Sequence, residues 1–187
     1  MSRVEQKQKT KKSAKSELLE WIKVICVSVV AAVVITTFVK PTLVKGESMY
    51  PTIQEHDYLI INCVSYMGKS PSYGDIIVFE TDMKTDDGKD KDLIKRIIGL
   101  PGDTIEVKDG IVYRNGEALV EPYINGEYTP GDVDETVVPE NHVFVLGDNR
   151  PNSLDSRSEE VGTVAYEDIV GCVMVRLFPF DKIGTVK

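Results

Sequence analysis

Histidine is nearly absent from this 187-residue chain, which holds only His56 and His142. His56 follows Glu55 in a polar turn and His142 opens a strand-like run after Glu140-Asn141. Neither setting marks a catalytic base, so a Ser–His–Asp arrangement is poorly served. Cysteine is also scarce. Cys26 lies in an apolar run, Cys63 and Cys172 lie in strand-like text, and no CxxC or Cys/His spacing points to a metal. The plain reading makes all three small buried apolar side chains, with a Cys63–Cys172 pair outside the cytoplasm as the alternative. Positive charge is sparse beyond the first 17 residues. Those hold six basic and two acidic side chains, whereas the remainder holds 16 basic and 28 acidic, net −12. An acidic body excludes nucleic acid as a partner, because phosphate recognition needs a basic face.

What the chain does have is one long apolar run, residues 18–39, "LLEWIKVICVSVVAAVVITTFV". Twenty-two residues at about 1.5 Å each suffice to cross a hydrocarbon core of about 30 Å. Glu20 and Lys23 sit near its start and Trp21 is placed as an interfacial anchor. From Val24 onward only Ser28, Thr36 and Thr37 are polar, and their hydroxyls can bond back to the helix. A cleavable leader is the alternative, but "VKPTLVKGES" offers no small-x-small cleavage site. The basic residues before the run and the acidic body after it put the N-terminus in the cytoplasm and residues 40–187 outside.

Beyond residue 40 the text is mostly β. Runs at 58–64, 75–81, 93–99, 104–107, 111–114, 142–148 and 168–178 are rich in Val, Ile, Phe and Tyr. Turn signals such as Pro101-Gly102-Asp103, Asp109-Gly110 and Asn115-Gly116 separate them. The expected fold is mainly β, with antiparallel sheets coiled into a sandwich or partly open barrel and one N-terminal transmembrane helix. The expected organisation is a basic cytoplasmic tail (1–17), an anchor (18–39) and an extracytoplasmic domain (40–187). Residues 81–92 read as a charged solvated loop whose Asp spacing does not suit calcium. Residues 117–140 read as an irregular connection or cap. No internal repeat is visible.

Three stretches carry candidate chemistry. "VKGESMYPT" (44–52) presents Ser48 shortly after the apolar run, either as a nucleophile or as part of a polar turn. "LIKRIIG" (93–99) places Lys95 among isoleucines. Desolvation there would lower its pKa and supply a neutral amine able to act as a base; an edge-strand lysine in solvent is the alternative. "LGDNRPNSLDSR" (146–157) crowds Ser153, Asp155, Ser156 and Arg157 into five positions, where Asp155 and Arg157 can pair and either serine can meet an amine. An ordinary polar loop is the alternative.

Taken together, "GESMYPT", "YGDIIVF" (73–79), "IKRIIGLPGD" (94–103) and "GDNRPNSLDSR" (147–157) resemble, in order and behind a membrane anchor, the boxes of bacterial type I signal peptidases of the single-anchor, Gram-positive-type branch. Four boxes in order, spanning residues 44–157, are far more specific than one. The resemblance implies Ser48 as nucleophile and Lys95 as general base, with Ser153 orienting the amine. It implies Asp155 and Arg157 as a bracing pair, Asp148 and Asn149 as the turn that shapes the site, and the Ser48 N–H in the oxyanion hole. Arg96 matches a structural basic residue. Some members carry a hydroxyl where this chain has Gly46; a backbone N–H with water, or close backbone approach at glycine, would take its place.

The implied reaction is removal of signal peptides from secretory preproteins after small residues at −1 and −3, through an acyl-enzyme and without metal or organic cofactor. Val44, Met49, Ile53 and Ile94 are the candidates for the shallow apolar pockets, and membrane lipid is an expected contact. Two rivals remain. One is a self-cleaving regulator, which would need a DNA-binding head that this text lacks. The other is a tethered β-domain that only binds partners. The S-x-x-K pattern fails, because Pro51 stands three residues after Ser48.

Overall fold

The computed structural model describes residues 14–84, 88 and 91–186. The first 13 residues of the expected basic tail, and 85–87 and 89–90 of the charged loop, lie outside them. The chain divides into two compact units, Met1–Thr37 and Phe38–Lys187.

The first unit is built on α1 (Ala14–Phe38). It starts four residues before the expected apolar run, because Lys15 and Glu17 are good helix formers and extend it. Its 25 residues span about 37 Å at about 1.5 Å each. It is the one helix among the described residues long and apolar enough to cross a membrane. Leu18, Trp21, Ile25, Val27 and Val30 stand exposed along it. The hydroxyls of Thr36 and Thr37 donate back to the carbonyls of Ala32 and Val33 at 2.8–3.0 Å, which removes the cost of carrying them in an apolar run.

The second unit is mainly β. Its strands are β1 (Val39–Leu43), β2 (Tyr58–Asn62), β3 (Ile76–Phe79), β4 (Leu93–Gly99), β5 (Thr104–Lys108), β6 (Ile111–Arg114), β7 (Glu117–Ala118), β8 (Val133–Val137), β9 (His142–Leu146), β10 (Val164–Ala165) and β11 (Ile169–Phe178). A seven-stranded sheet has the order β1-β2-β11-β3-β4-β9-β10 and a four-stranded sheet the order β7-β6-β5-β8, with every pairing antiparallel.

The large sheet is buried on both faces. Ile76 and Val78 of β3 pack with Met49, Ile53, Leu59 and Ile61, while Ile77 and Phe79 between them pack with Leu93, Ile97, Val143 and Val145. On β9, Phe144 and Leu146 turn the other way and meet Ile105, Val107 and Val112 of the small sheet. This two-sided burial explains why "IIVF" and "HVFVL" are continuous apolar runs without alternation.

Two sequence expectations need correction. Residues 117–140 are not wholly irregular, since β7 and β8 lie within them and pair with β6 and β5. β8 ends its sheet, so its Asp134, Glu135 and Thr136 face solvent or the rim and conceal the strand pattern. β1 was hidden for a similar reason. It carries Pro41, and a sheet edge is where a strand tolerates the missing N–H. The cysteines are all free, and none is the buried apolar side chain expected: Cys26 is exposed and Cys63 and Cys172 are half-buried. Cys172 faces Asn62 across the β2–β11 ladder, so Cys63, one residue further on, falls out of step with it.

Phe144 is 1 % exposed in the cluster joining the two sheets. Phe144→Ala should destabilise the chain by about 3–5 kcal/mol in denaturant unfolding. Val120→Ala, at a side chain that is 91 % exposed, should change stability by less than about 0.5 kcal/mol.

Candidate active site

Ser48 lies in the loop between β1 and β2, on a chain of tight turns. The Tyr50 N–H donates to the Glu47 carbonyl at 3.0 Å and the Ile53 N–H to the Met49 carbonyl at 2.8 Å. Met49 and Ile53 point into the core and root the loop. Gly46 sits at φ +88°, the left-handed region, and a Cβ there would meet nothing within 4 Å. Glycine therefore serves the backbone conformation here and not close packing.

Lys95 lies mid-strand on β4, which has β3 on one side and β9 on the other, with Lys95 paired to Ile77. It is no edge-strand lysine: its side chain is 1 % exposed. Its Nζ donates to Ser48 Oγ at 2.9 Å and to the Ile94 carbonyl at 2.9 Å. Burial pulls its pKa down from the ordinary lysine range to about 8, partly opposed by the carboxylate of Asp155, while Lys91 and Arg157 push further down.

The nearby acids are committed elsewhere. Asp155 accepts from Arg157 Nε and Nη2 at 2.8 and 2.9 Å and from the Gly147 N–H at 3.0 Å. Asp148 takes a two-pronged contact from Arg96 at 2.8 and 2.6 Å and a hydrogen bond from the Thr52 hydroxyl. Each acid thus has its own arginine, and neither holds the Lys95 ammonium in an ion pair. Asn149 ties the two loops together. Its N–H donates to the Ser48 carbonyl at 3.0 Å and its Nδ2 to the Glu47 carbonyl at 3.0 Å. Gly147 allows the approach, since a Cβ there would lie 2.2 Å from Ser153 Oγ and 2.5 Å from the Ser48 carbonyl oxygen.

Ser153 Oγ is buried and has no hydrogen-bond partner among the described residues. Lys95 bonds Ser48 and Ile94 instead. A cavity of about 320 Å³ opens beside Ser48 and Lys95. Val44, Met49 and Ile94 line it, as do Leu43, Val78 and Leu93, which the sequence reading did not name. Ile53 does not: it is fully buried in the core and absent from the wall. His56 occupies a turn at φ +70° and His142 Nδ1 lies 2.9 Å from the Glu140 carbonyl, with no contact to Ser48.

Arg150, Glu121 and Asn125 went unnoticed in the sequence. Arg150 is fully buried; it donates to the Gly147 carbonyl at 3.0 Å, Thr129 Oγ1 at 2.7 Å and Glu121 at 2.6–2.8 Å. Arg96 stacks on Tyr123, 4.1 Å from the ring centre. The 117–140 connection is therefore keyed beneath the loops that carry Ser48 and Asp148. Its only sequence signal was the pair of acid and aromatic in "EPY", too common to stand out.

A family model described as signal peptidase, peptidase S26, matches residues 18–178. The chain is 37 % identical over 182 residues to signal peptidase I S of Bacillus subtilis strain 168, covering 91 % of this chain and 94 % of that one. It is 36 % identical over 186 residues to signal peptidase IB of Staphylococcus aureus strain Mu50, covering 90 % and 93 %. A crystal structure of a signal peptidase I from Enterococcus faecalis V583 matches with a TM-score of 0.46 at 35 % identity, over 56 % of this chain and 97 % of that one.

A lysine whose folded pKa lies below its unfolded value destabilises the fold while it is protonated. The penalty is full below about pH 8 and fades as pH rises toward 10.5. It is on the order of 3 kcal/mol. Lys95→Met, which keeps the stem and removes the charge, should therefore raise Tm at pH 6, and the gain should shrink by pH 10. Equal Tm differences at both pH values would show that burial does not strain this amine.

Proposed function

This chain belongs to the signal peptidase family, peptidase S26, and we propose that it is a membrane-anchored signal peptidase I working through a Ser48–Lys95 dyad. Membership makes it a serine protease, a hydrolase. The observation that carries the dyad is the 2.9 Å contact between a buried lysine amine and the Ser48 hydroxyl.

Near neutral pH a useful fraction of Lys95 is neutral. Its lone pair takes the Ser48 proton as Oγ attacks the scissile carbonyl. The Ser48 N–H, whose peptide is held by the Asn149 contact to the Glu47 carbonyl, donates to the oxyanion. Collapse passes the Lys95 proton to the leaving amine, and the mature protein departs with a free N-terminus. The signal peptide remains as an ester on Ser48. Lys95 then takes a proton from water, the hydroxide attacks the ester, and the proton returns to Ser48 as the new carboxylic acid leaves and gives its own proton to solvent. The Ser153 hydroxyl, buried and without a hydrogen-bond partner among the described residues, is the group assigned to steady the amine as its protonation changes. Asp155–Arg157 and Arg96–Asp148 brace the loops around it.

A cavity of about 320 Å³ walled by Val44, Met49 and Ile94 suits small side chains at −1 and −3. An extended substrate would present alternate side chains to this wall. The six basic residues among the first 17 support a cytoplasmic N-terminus, and hence an extracytoplasmic peptidase domain beside lipid.

The test uses full-length protein in detergent and a secretory preprotein with Ala at −1 and −3. Mass spectrometry of the new N-terminus should place the cut after the −1 Ala. Ser48→Ala and Lys95→Ala should each lower kcat by about a thousandfold or more. Cleavage that survives Lys95→Ala would remove Lys95 as base. No cleavage by wild type, in a preparation shown to be folded, would leave the tethered binding domain as the better reading.

A further inference from the structure

We propose that Asn125 is a positioning residue for the Ser48 centre, acting through Asn149 to set the Glu47–Ser48 peptide; this rests on the peptidase reading above. In a trans peptide the carbonyl of one residue and the N–H of the next lie in one plane and point opposite ways. Whatever holds the Glu47 carbonyl therefore aims the Ser48 N–H. Asn149 Nδ2 holds that carbonyl at 3.0 Å, and the Asn149 N–H holds the Ser48 carbonyl at 3.0 Å. Asn149, itself 2 % exposed, thus holds both peptide planes flanking Ser48, with the Tyr50 N–H a second donor to the Glu47 carbonyl at 3.0 Å.

The Asn149 amide could face either way, and its neighbours decide. The Glu47 carbonyl can only accept, so the Asn149 NH2 must face it. Asn149 Oδ1 must then face Asn125, whose Nδ2 donates to it at 3.0 Å. Asn125 is held in turn, since its N–H donates to the Asp148 carbonyl at 2.8 Å. A relay runs from the 117–140 connection through Asn149 to the nucleophile's own backbone. It matters more in this chain because Gly46 supplies no hydroxyl near the oxyanion.

Asn125→Asp is the informative change. It keeps the shape but sets a carboxylate oxygen against Asn149 Oδ1. The repulsion is relieved by turning the Asn149 amide over, which puts an oxygen against the Glu47 carbonyl and loosens the peptide. The experiment measures kcat and KM on the Ala −1 preprotein for full-length wild type, Asn125→Asp, Asn149→Ala and the double variant, with thermal unfolding of each. Asn125→Asp should lower kcat about tenfold with KM changed less than about twofold. In the Asn149→Ala background it should cost less than about twofold more. If the Asp variant does not fold, Asn125→Ala should show the same dependence on Asn149 with a smaller loss, about threefold. Equal losses in both backgrounds, a loss confined to KM, or an unchanged kcat would overturn the proposal while leaving the peptidase intact. Wild type no faster than Ser48→Ala would overturn the peptidase reading itself, and this proposal with it.

Discussion

A lysine amine held out of water against a serine hydroxyl sets the terms for the second unit. An ammonium group resists burial, and among the described residues Lys95 has neither solvent nor a dedicated counter-ion. Asp155 is occupied by Arg157 and the Gly147 N–H, and Asp148 by Arg96 and Thr52. Asp155 already raises the Lys95 pKa, and without Arg157 beside it that pull would meet less opposition. The Asp155–Arg157 pair is thus more than a brace: it keeps negative charge occupied near a group that must be able to lose its proton.

The same requirement explains the placement on β4. A strand between two neighbours, with both sheet faces covered, is the driest position this architecture offers. Ser48 has to come to it from another part of the chain, on a loop with little regular structure of its own. That loop is rooted by Met49 and Ile53 in the core and tied to Asn149 on the loop after β9. Arg150 and Glu121 fasten the loop after β9 to the connection between β7 and β8 of the small sheet. Chemistry carried on loops is held here by burial on one side and by paired charges on the other.

Much of this was legible in the residues, and the limits have physical causes. Lys95 among isoleucines fitted a half-buried amine as well as an edge-strand lysine, and Asp155 with Arg157 fitted an ion pair, because both signals are local in sequence. The central strands were legible because burial on two faces enriches them in Val, Ile and Phe. β1 and β8 were not, since an edge strand owes little to the core and can carry Pro41 or Asp134 and Glu135 without cost. Ile53 was assigned to a pocket wall because an apolar residue near a nucleophile suits either role, and only packing separates wall from core. Asn125 and Glu121 were invisible because their partners lie 24 and 29 residues away, and no local pattern encodes a contact at that distance.

The most direct measurement is the titration of the Lys95 amine itself. Lysine labelled with 15N at Nζ, assigned by comparison with the Lys95→Met variant, would be followed by NMR from pH 6 to 11 in the Ser48→Ala protein, where no turnover interferes. A midpoint near 8, well below that of the surface lysines, is the result expected of a desolvated amine without a counter-ion. A midpoint above 10 would mean that Lys95 is an ordinary ammonium at working pH, and the base would have to be sought elsewhere.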